Sequence, residues 1–264
     1  MRRKIQHIAN KIKQTERTGL LLAGALLLLV IAGRWYKQEL PVRKIKLSIT
    51  NTRLKERLIS KKDIARVLVS IQHEGITKLK VKDIDFRGLE QGLEQHPSIR
   101  EAEVYLDMTN ILHIDVQQRI PIARIIDNNG TQYYMDTEGY RVPLSQHCSY
   151  RVPVVTGIIP VSNSHNGEKL EDKSFVQLYE VLMALRKDKI LSALIEQLSL
   201  DVHDDLTLVP KAGYKRIFFG KIEEVQKKLQ KLKDFYKKGD WGKYEMINLE
   251  YDNLVFAKKK IKTT

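Results

Sequence analysis

Hydrophobic positions along the chain change their pattern twice. Residues 19–33, GLLLAGALLLLVIAG, carry no charge, and nine of these fifteen are Leu, Val or Ile. A soluble helix is seldom apolar all round, so the run reads as a membrane anchor built on Leu20, Leu21, Leu22, Leu26, Leu27, Leu28, Leu29, Val30 and Ile31. At roughly −0.3 to −0.6 kcal/mol each, these side chains favour insertion by about 3 to 5 kcal/mol. The run is shorter than the ~20 residues a span usually needs. Arg17 and Arg34 can snorkel, however, and Trp35 and Tyr36 supply aromatics for the interface. A cleaved leader would share the basic and apolar regions, but cleavage needs small residues just after them. Here Ala32-Gly33 is followed by Arg34, Trp35 and Tyr36, so an uncleaved anchor over 18–36 is expected.

Beyond the anchor the pattern shifts between strand and helix periods. Residues 42–49 alternate as a strand. Ser60 and Asp63 form a capping box that opens a helix with Ile64, Val67, Leu68 and Ile71 on one stripe. A second helix follows Lys82-Asp83, turns Ile84, Phe86, Leu89 and Leu93 inward, and stops before Pro97. Ala102, Val104 and Leu106, a turn over 107–110, then Leu112, Ile114 and Val116 make a hairpin. Strand, helix, helix, strand, strand within about eighty residues is one small α+β unit.

The second region is mostly strands. Residues 122–126 and 132–135 flank the turn Asp127-Asn128-Asn129-Gly130, and Asp136-Thr137-Glu138-Gly139 makes another. Residues 151–156 read as an edge strand because they contain Pro153. Asp172 opens a helix with Phe175, Leu178, Leu182 and Leu185 inward. Three strands are expected at 195–202, 206–210 and 216–219. A helix over 221–238 follows, with Gly239 as its C-cap, and one long strand runs over 244–257. That strand is a candidate edge: residues 247–256 alternate, lack proline and carry little edge protection beyond Glu250 and Asp252. The alternatives are an interior strand, or one covered by the chain's own tail.

Composition narrows the function. The net charge of +14 comes from lysines and arginines spread along the chain, which fits a solvated surface near anionic lipid better than nucleic-acid binding. Six cations precede the anchor (Arg2, Arg3, Lys4, Lys11, Lys13, Arg17) against five from 34 to 50, too small a difference to set topology. Cys148 is the only cysteine, so no intramolecular disulfide can form. It reads as a loop filler, since its neighbour His147 alone supplies no catalytic geometry. The seven histidines show no metal-ligand spacing, and phosphate-loop and nucleophile-elbow motifs are absent. No catalytic residue, cofactor, metal or small-molecule substrate is therefore expected.

Several short motifs occur in a telling order. In the first module these are His96-Pro97-Ser98-Ile99, Ala102-Glu103-Val104 and Gln117-Gln118-Arg119-Ile120-Pro121-Ile122-Ala123. Tyr134-Met135-Asp136-Thr137-Glu138-Gly139, Val142-Pro143-Leu144 and Arg151-Val152-Pro153-Val154-Val155-Thr156-Gly157 follow. Leu208-Val209-Pro210, Phe219-Gly220 and Tyr251-Asp252-Asn253-Leu254-Val255 complete the set. In these motifs the chain resembles the FtsQ/DivIB cell-division proteins of the type found in Bacteroidetes. The resemblance implies an α+β architecture of one transmembrane helix, a POTRA (polypeptide-transport-associated) domain and a C-terminal mixed β domain with flanking helices. The expected division is a cytoplasmic basic tail over 1–17, the anchor over 18–36, the POTRA-like domain over 37–120, the β domain over 121–258 and a basic tail over 259–264.

It further implies an inner-membrane protein with a cytoplasmic N-terminus and a periplasmic bulk. Such a protein is a divisome scaffold that binds FtsB/FtsL-type proteins and other divisome components and helps control septal peptidoglycan synthesis. In the family the distal edge strand receives FtsB, which points here to Leu249, Tyr251, Asn253, Leu254 and Val255. The family often has Gln where this chain has Leu254, so a backbone contact carries over there and a side-chain one does not. Two other classes compete. A secretion or assembly component would also carry POTRA modules, but strands of the membrane-barrel kind are not found up to Thr264. A tethered hydrolase would need a convergent acid–base pair.

Overall fold

The computed structural model of the chain describes residues 22–33, 40–50, 57–72, 80–211, 216–238, 243–251 and 254–259. Residues 22–33 are helical, with Leu22, Leu26, Leu27, Leu28, Leu29, Val30 and Ile31 exposed. At ~1.5 Å per residue they rise roughly 18 Å, against ~30 Å of hydrocarbon. Among the described residues no helix is long and apolar enough to cross a membrane. The expected anchor's Leu20, Leu21, Trp35 and Tyr36 lie outside the described residues.

The first module is a three-stranded sheet backed by two helices. β1 (Lys44–Thr50) pairs in parallel with β3 (Ile111–Gln118), and β2 (Ile99–Leu106) pairs antiparallel on the other side of β3. α1 (Lys61–Ile71) begins at the expected box: Ser60 Oγ accepts the Asp63 N–H while the Asp63 carboxylate accepts the Ser60 N–H. These bonds hold the Asp63 carboxyl well below the usual carboxylate range. α2 (Phe86–Glu94) is capped by Asp85, whose side chain accepts the Gly88 N–H. Ile64, Leu68, Ile84, Leu89 and Leu93 then close on the sheet's Ala102, Val104, Leu112, Ile114 and Val116. Alternation in β2 and β3 and the helical stripe in α1 and α2 thus meet in one core.

Among the described residues the second module is a nine-stranded mixed sheet. It contains β4 (Pro121–Ile126), β5 (Gln132–Asp136), β6 (Arg141–Pro143), β7 (Val154–Gly157), β8 (Ile195–Leu200), β9 (Leu206–Pro210), β10 (Arg216–Gly220), β11 (Tyr244–Asn248) and β12 (Phe256–Lys259). The spatial order is β12-β11-β10-β9-β8-β7-β4-β5-β6. α3 (Lys173–Lys187), α4 (Lys189–Leu194) and α5 (Val225–Lys237) contribute Phe175, Leu178, Leu182, Leu191, Leu229 and Leu232 to its core.

Three expectations for this module are corrected. β7 is not an edge strand, since it lies inside the sheet, parallel to both β4 and β8. Pro153 stands just before it, so the missing N–H removes no ladder bond, and its carbonyl accepts the Arg124 N–H at 2.9 Å. The last helix starts at Val225 and not at 221, because Glu224 adopts a left-handed φ of 49° at its N-cap. The expected single strand over 244–257 is two strands, β11 and β12, paired antiparallel as a hairpin. The chain turns after β11, where the Asn248 side chain accepts the Glu250 N–H at 2.8 Å. Gly239, the expected C-cap, lies outside the described residues.

The two modules meet across a built joint. Arg119 Nη1 donates to Asp136 Oδ2 at 2.9 Å, both side chains nearly buried, and the guanidinium stacks 3.9 Å from the Tyr140 ring centroid. Asp136 Oδ1 also accepts the Glu138 and Tyr140 N–H groups of its own turn. Beside this, Gln118 accepts the Leu58 N–H and donates to the Tyr150 hydroxyl (2.9 and 2.7 Å), within a cluster of Leu58, Tyr134, Val142 and Tyr150. His147 Nε2 lies 2.7 Å from Asp63 Oδ2, and Cys148 Sγ donates to the Arg57 carbonyl. The pair read from sequence as loop residues thus touches the first module.

Candidate functional site

Each sheet has two outer strands, and their unpaired backbone groups are the natural place to look for binding. In the first module, β2 is covered by its own helix: Glu94 accepts the Ala102 N–H (3.2 Å) and Glu90 the Val104 N–H (2.9 Å). β1 presents exposed Lys44 and Lys46, a common guard against strand addition. In the second module, β6 is capped by the following loop, where Arg141 N–H bonds Glu168 O and Gly167 N–H bonds Arg141 O (2.8 and 2.7 Å). β12 differs: among the described residues no strand or loop pairs with its outer side.

Large apolar side chains gather beside that edge. Met246 is 42% exposed, Tyr251 52%, Leu254 59% and Phe256 54%. The Tyr251 and Phe256 rings meet edge to face at 4.7 Å. With Asn248, Ala257 and Lys258 they line a shallow groove of about 290 Å³. This concentration of exposed apolar side chains beside an open strand edge makes the groove the candidate interaction surface.

The hairpin is held from below by α5. Lys231 Nζ donates to the carbonyls of Leu249 (2.9 Å) and Tyr251 (2.8 Å). Leu249 is fully buried and its N–H bonds the Phe218 carbonyl. β11 itself lies parallel to β10, with Ile217 opposite Ile247. Lys228, one turn earlier, donates to the Phe219 and Lys221 carbonyls, and burial pushes its amine below the ordinary lysine value. One face of α5 therefore satisfies carbonyls at the end of β10 and in the segment after β11.

The residues expected to bind divide accordingly. Tyr251 and Leu254 are on the surface, Val255 is half-buried against the core, and Leu249 is within it. Asn253 lies outside the described residues. None of the four described residues is in a strand; they sit in the connection between β11 and β12. Of the groove's large side chains, Phe256 falls at the end of the run expected as the edge (247–256) and Met246 just before it; the outer strand is β12, which only begins where that run ends. The signal available was Asn248, which together with Asp252-Asn253 supplies turn-forming side chains inside a run read only for alternation. No group of three or more His, Cys, Asp or Glu side chains that could hold a metal occurs among the described residues.

The family model described as FtsQ/DivIB, C-terminal related, matches residues 120–258, more than half of the chain. The chain belongs to the FtsQ/DivIB family. A POTRA-like domain model matches residues 42–117 of this FtsQ/DivIB chain, where the three-stranded sheet and its two helices lie. "Cell division protein FtsQ" of Rhodothermus marinus is 25% identical over 187 residues, covering 67% of this chain and 67% of that protein. The protein of the same description from Salinibacter ruber is 36% identical over 66 residues, 24% of this chain and 26% of that protein.

Proposed function

We propose that this FtsQ/DivIB chain is a single-pass scaffold of the division machinery that captures FtsB/FtsL-type partners on β12 and so helps control septal peptidoglycan synthesis. The observation that carries this reading is the unpaired outer edge of β12 beside exposed Met246, Tyr251, Leu254 and Phe256. An added strand would satisfy the edge N–H and C=O groups, giving affinity, while the groove at Tyr251 and Phe256 would select side chains. Tyr251, Leu254 and Val255 then flank the added strand, and Leu249 fixes the hairpin from the core. The role is binding, not catalysis, and needs no cofactor.

The proposed placement is an inner-membrane anchor over 18–36 with residues 1–17 cytoplasmic. The modules over 37–120 and 121–258, and the tail over 259–264, would be periplasmic. The uncharged run over 19–33 and the family membership support it.

Proline substitution tests the edge. In an antiparallel pair, successive N–H groups point alternately to the partner and away, and proline removes one. Of Ala257→Pro and Lys258→Pro, one should break the β11–β12 ladder. The other should leave the circular dichroism spectrum intact and lower FtsB-like partner capture by at least about tenfold. If both unfold the module, or both leave capture unchanged, β12 is not the docking edge.

A further inference from the structure

A second recess lies away from the edge, where the parallel strands β4, β7 and β8 all begin. It measures about 240 Å³. Ile122, Leu182, Leu185, Leu191 and Ile195 form its apolar floor, with Arg151 and Arg186 among its lining residues and no acidic side chain among them. Pockets that take a free small molecule usually run ~300–1,000 Å³, so this one is sized to one or two side chains of a polypeptide. Arg151 is exposed and makes no hydrogen bond or ion pair among the described residues. Ile120 and Pro121 complete one wall, and Ile120 follows Arg119, whose side chain holds Asp136 across the module joint.

The charge around the recess decides what can fill it. Guanidinium groups beside an apolar floor favour a carboxylate carried next to an apolar side chain. The chain's own terminal segments do not fit that description. Residues 1–21 carry six cations and one acid (Glu16), and residues 260–264 carry Lys260 and Lys262 with no acid. A second copy brings a net charge of +14 against another +14, whereas an acidic segment is steered toward such a surface.

We infer that this recess is a second docking site, for an acidic segment of another protein that inserts one or two aliphatic side chains between α3, α4 and the start of β4 and β7. Its carboxylates pair with Arg151. The occupant lies against the joint between the modules, and binding there does not require strand addition at β12.

The test places p-benzoylphenylalanine at exposed Ala193, on α4 next to the recess, in the full chain in its native membrane. Irradiation should give an adduct whose mapped peptide carries aliphatic residues flanked by Asp or Glu. Arg151→Glu should lower its yield at least about tenfold, and Arg151→Lys should retain it. Circular dichroism and an unchanged adduct from the same probe at Tyr251 show that Arg151→Glu still folds. The fold-preserving β12 proline should lower edge capture at least about tenfold and leave the Ala193 adduct in place, which separates the two sites. The inference is overturned if the adduct maps to this chain, a second copy or lipid. It is equally overturned if the yield ignores Arg151→Glu, if the adduct disappears with edge capture, or if none forms.

Discussion

His96 shows how one half-buried group ties stability to pH. Its Nδ1 lies 3.2 Å from the Ser98 N–H and accepts from it, which requires the ring to be unprotonated at that atom. Burial lowers its pKa below the ordinary histidine value, partly offset by the nearby Asp63 carboxylate. The folded protein therefore holds fewer protons at this site than the unfolded chain does. Its contribution to stability is complete above the unfolded value of ~6.5 and is lost as pH falls from there through the folded value. Urea midpoints should drop between pH 7.5 and 5.5, and His96→Asn should shrink that drop; an unchanged drop in the variant would show that other groups set it. Carboxylates held low by hydrogen bonds, Asp63 and Asp201 among them, act in a separate window at lower pH.

At the scale of elements, α5 and the final hairpin form one device. The helix stripe places Leu229 and Leu232 in the core, while Lys228 and Lys231 reach sideways to backbone carbonyls. The Lys231 bonds hold the segment that carries Tyr251, and a charge-assisted bond of this kind contributes about 1.5–3 kcal/mol. Lys231→Met should keep the packing stem and remove both bonds. Amide exchange at 249–259 should then quicken roughly tenfold or more, with the protection of β8 and β9 unchanged. Equal acceleration throughout would mean that the hairpin is not held independently; no acceleration would mean that Lys231 does not hold it.

For the whole molecule, the joint matters as much as either sheet. Arg119–Asp136, Gln118–Tyr150 and the Leu58 cluster connect the modules without a Gly- or Ser-rich spacer, so solution scattering on residues 37–264 should give a narrow distribution of intermodule distances, and a broad one would show that these contacts do not hold the joint. The joint also brings together Pro97 and Gly167: with φ at 92°, Gly167 has Pro97 3.3 Å from where a Cβ would stand. The proposed anchor is tested at this scale too. A reporter active only in the periplasm, fused after Thr264, should be active, and the mature protein should keep its first residues. An N-terminus found between 33 and 46 would remove the anchor from the proposal.

Local chemistry was enough to place the elements of the first module, though not the parallel pairing that sets Lys44 of β1 opposite Ile111 of β3. Alternation in β2 and β3, the Ser60–Asp63 box and the stripes of α1 and α2 each depend on neighbours within a few residues, so they can be read in order along the chain. The uncharged run over 19–33 is legible for the same reason. Tertiary structure decided the rest. β7 became central because two strands distant in sequence needed a parallel partner, and Pro153 fell just outside the ladder. The last strand divided because Leu249 is captured by the core and by Lys231 before the chain returns as β12. Alternating side chains say which faces of a strand are apolar; which strand is left without a neighbour depends on every other strand in the sheet.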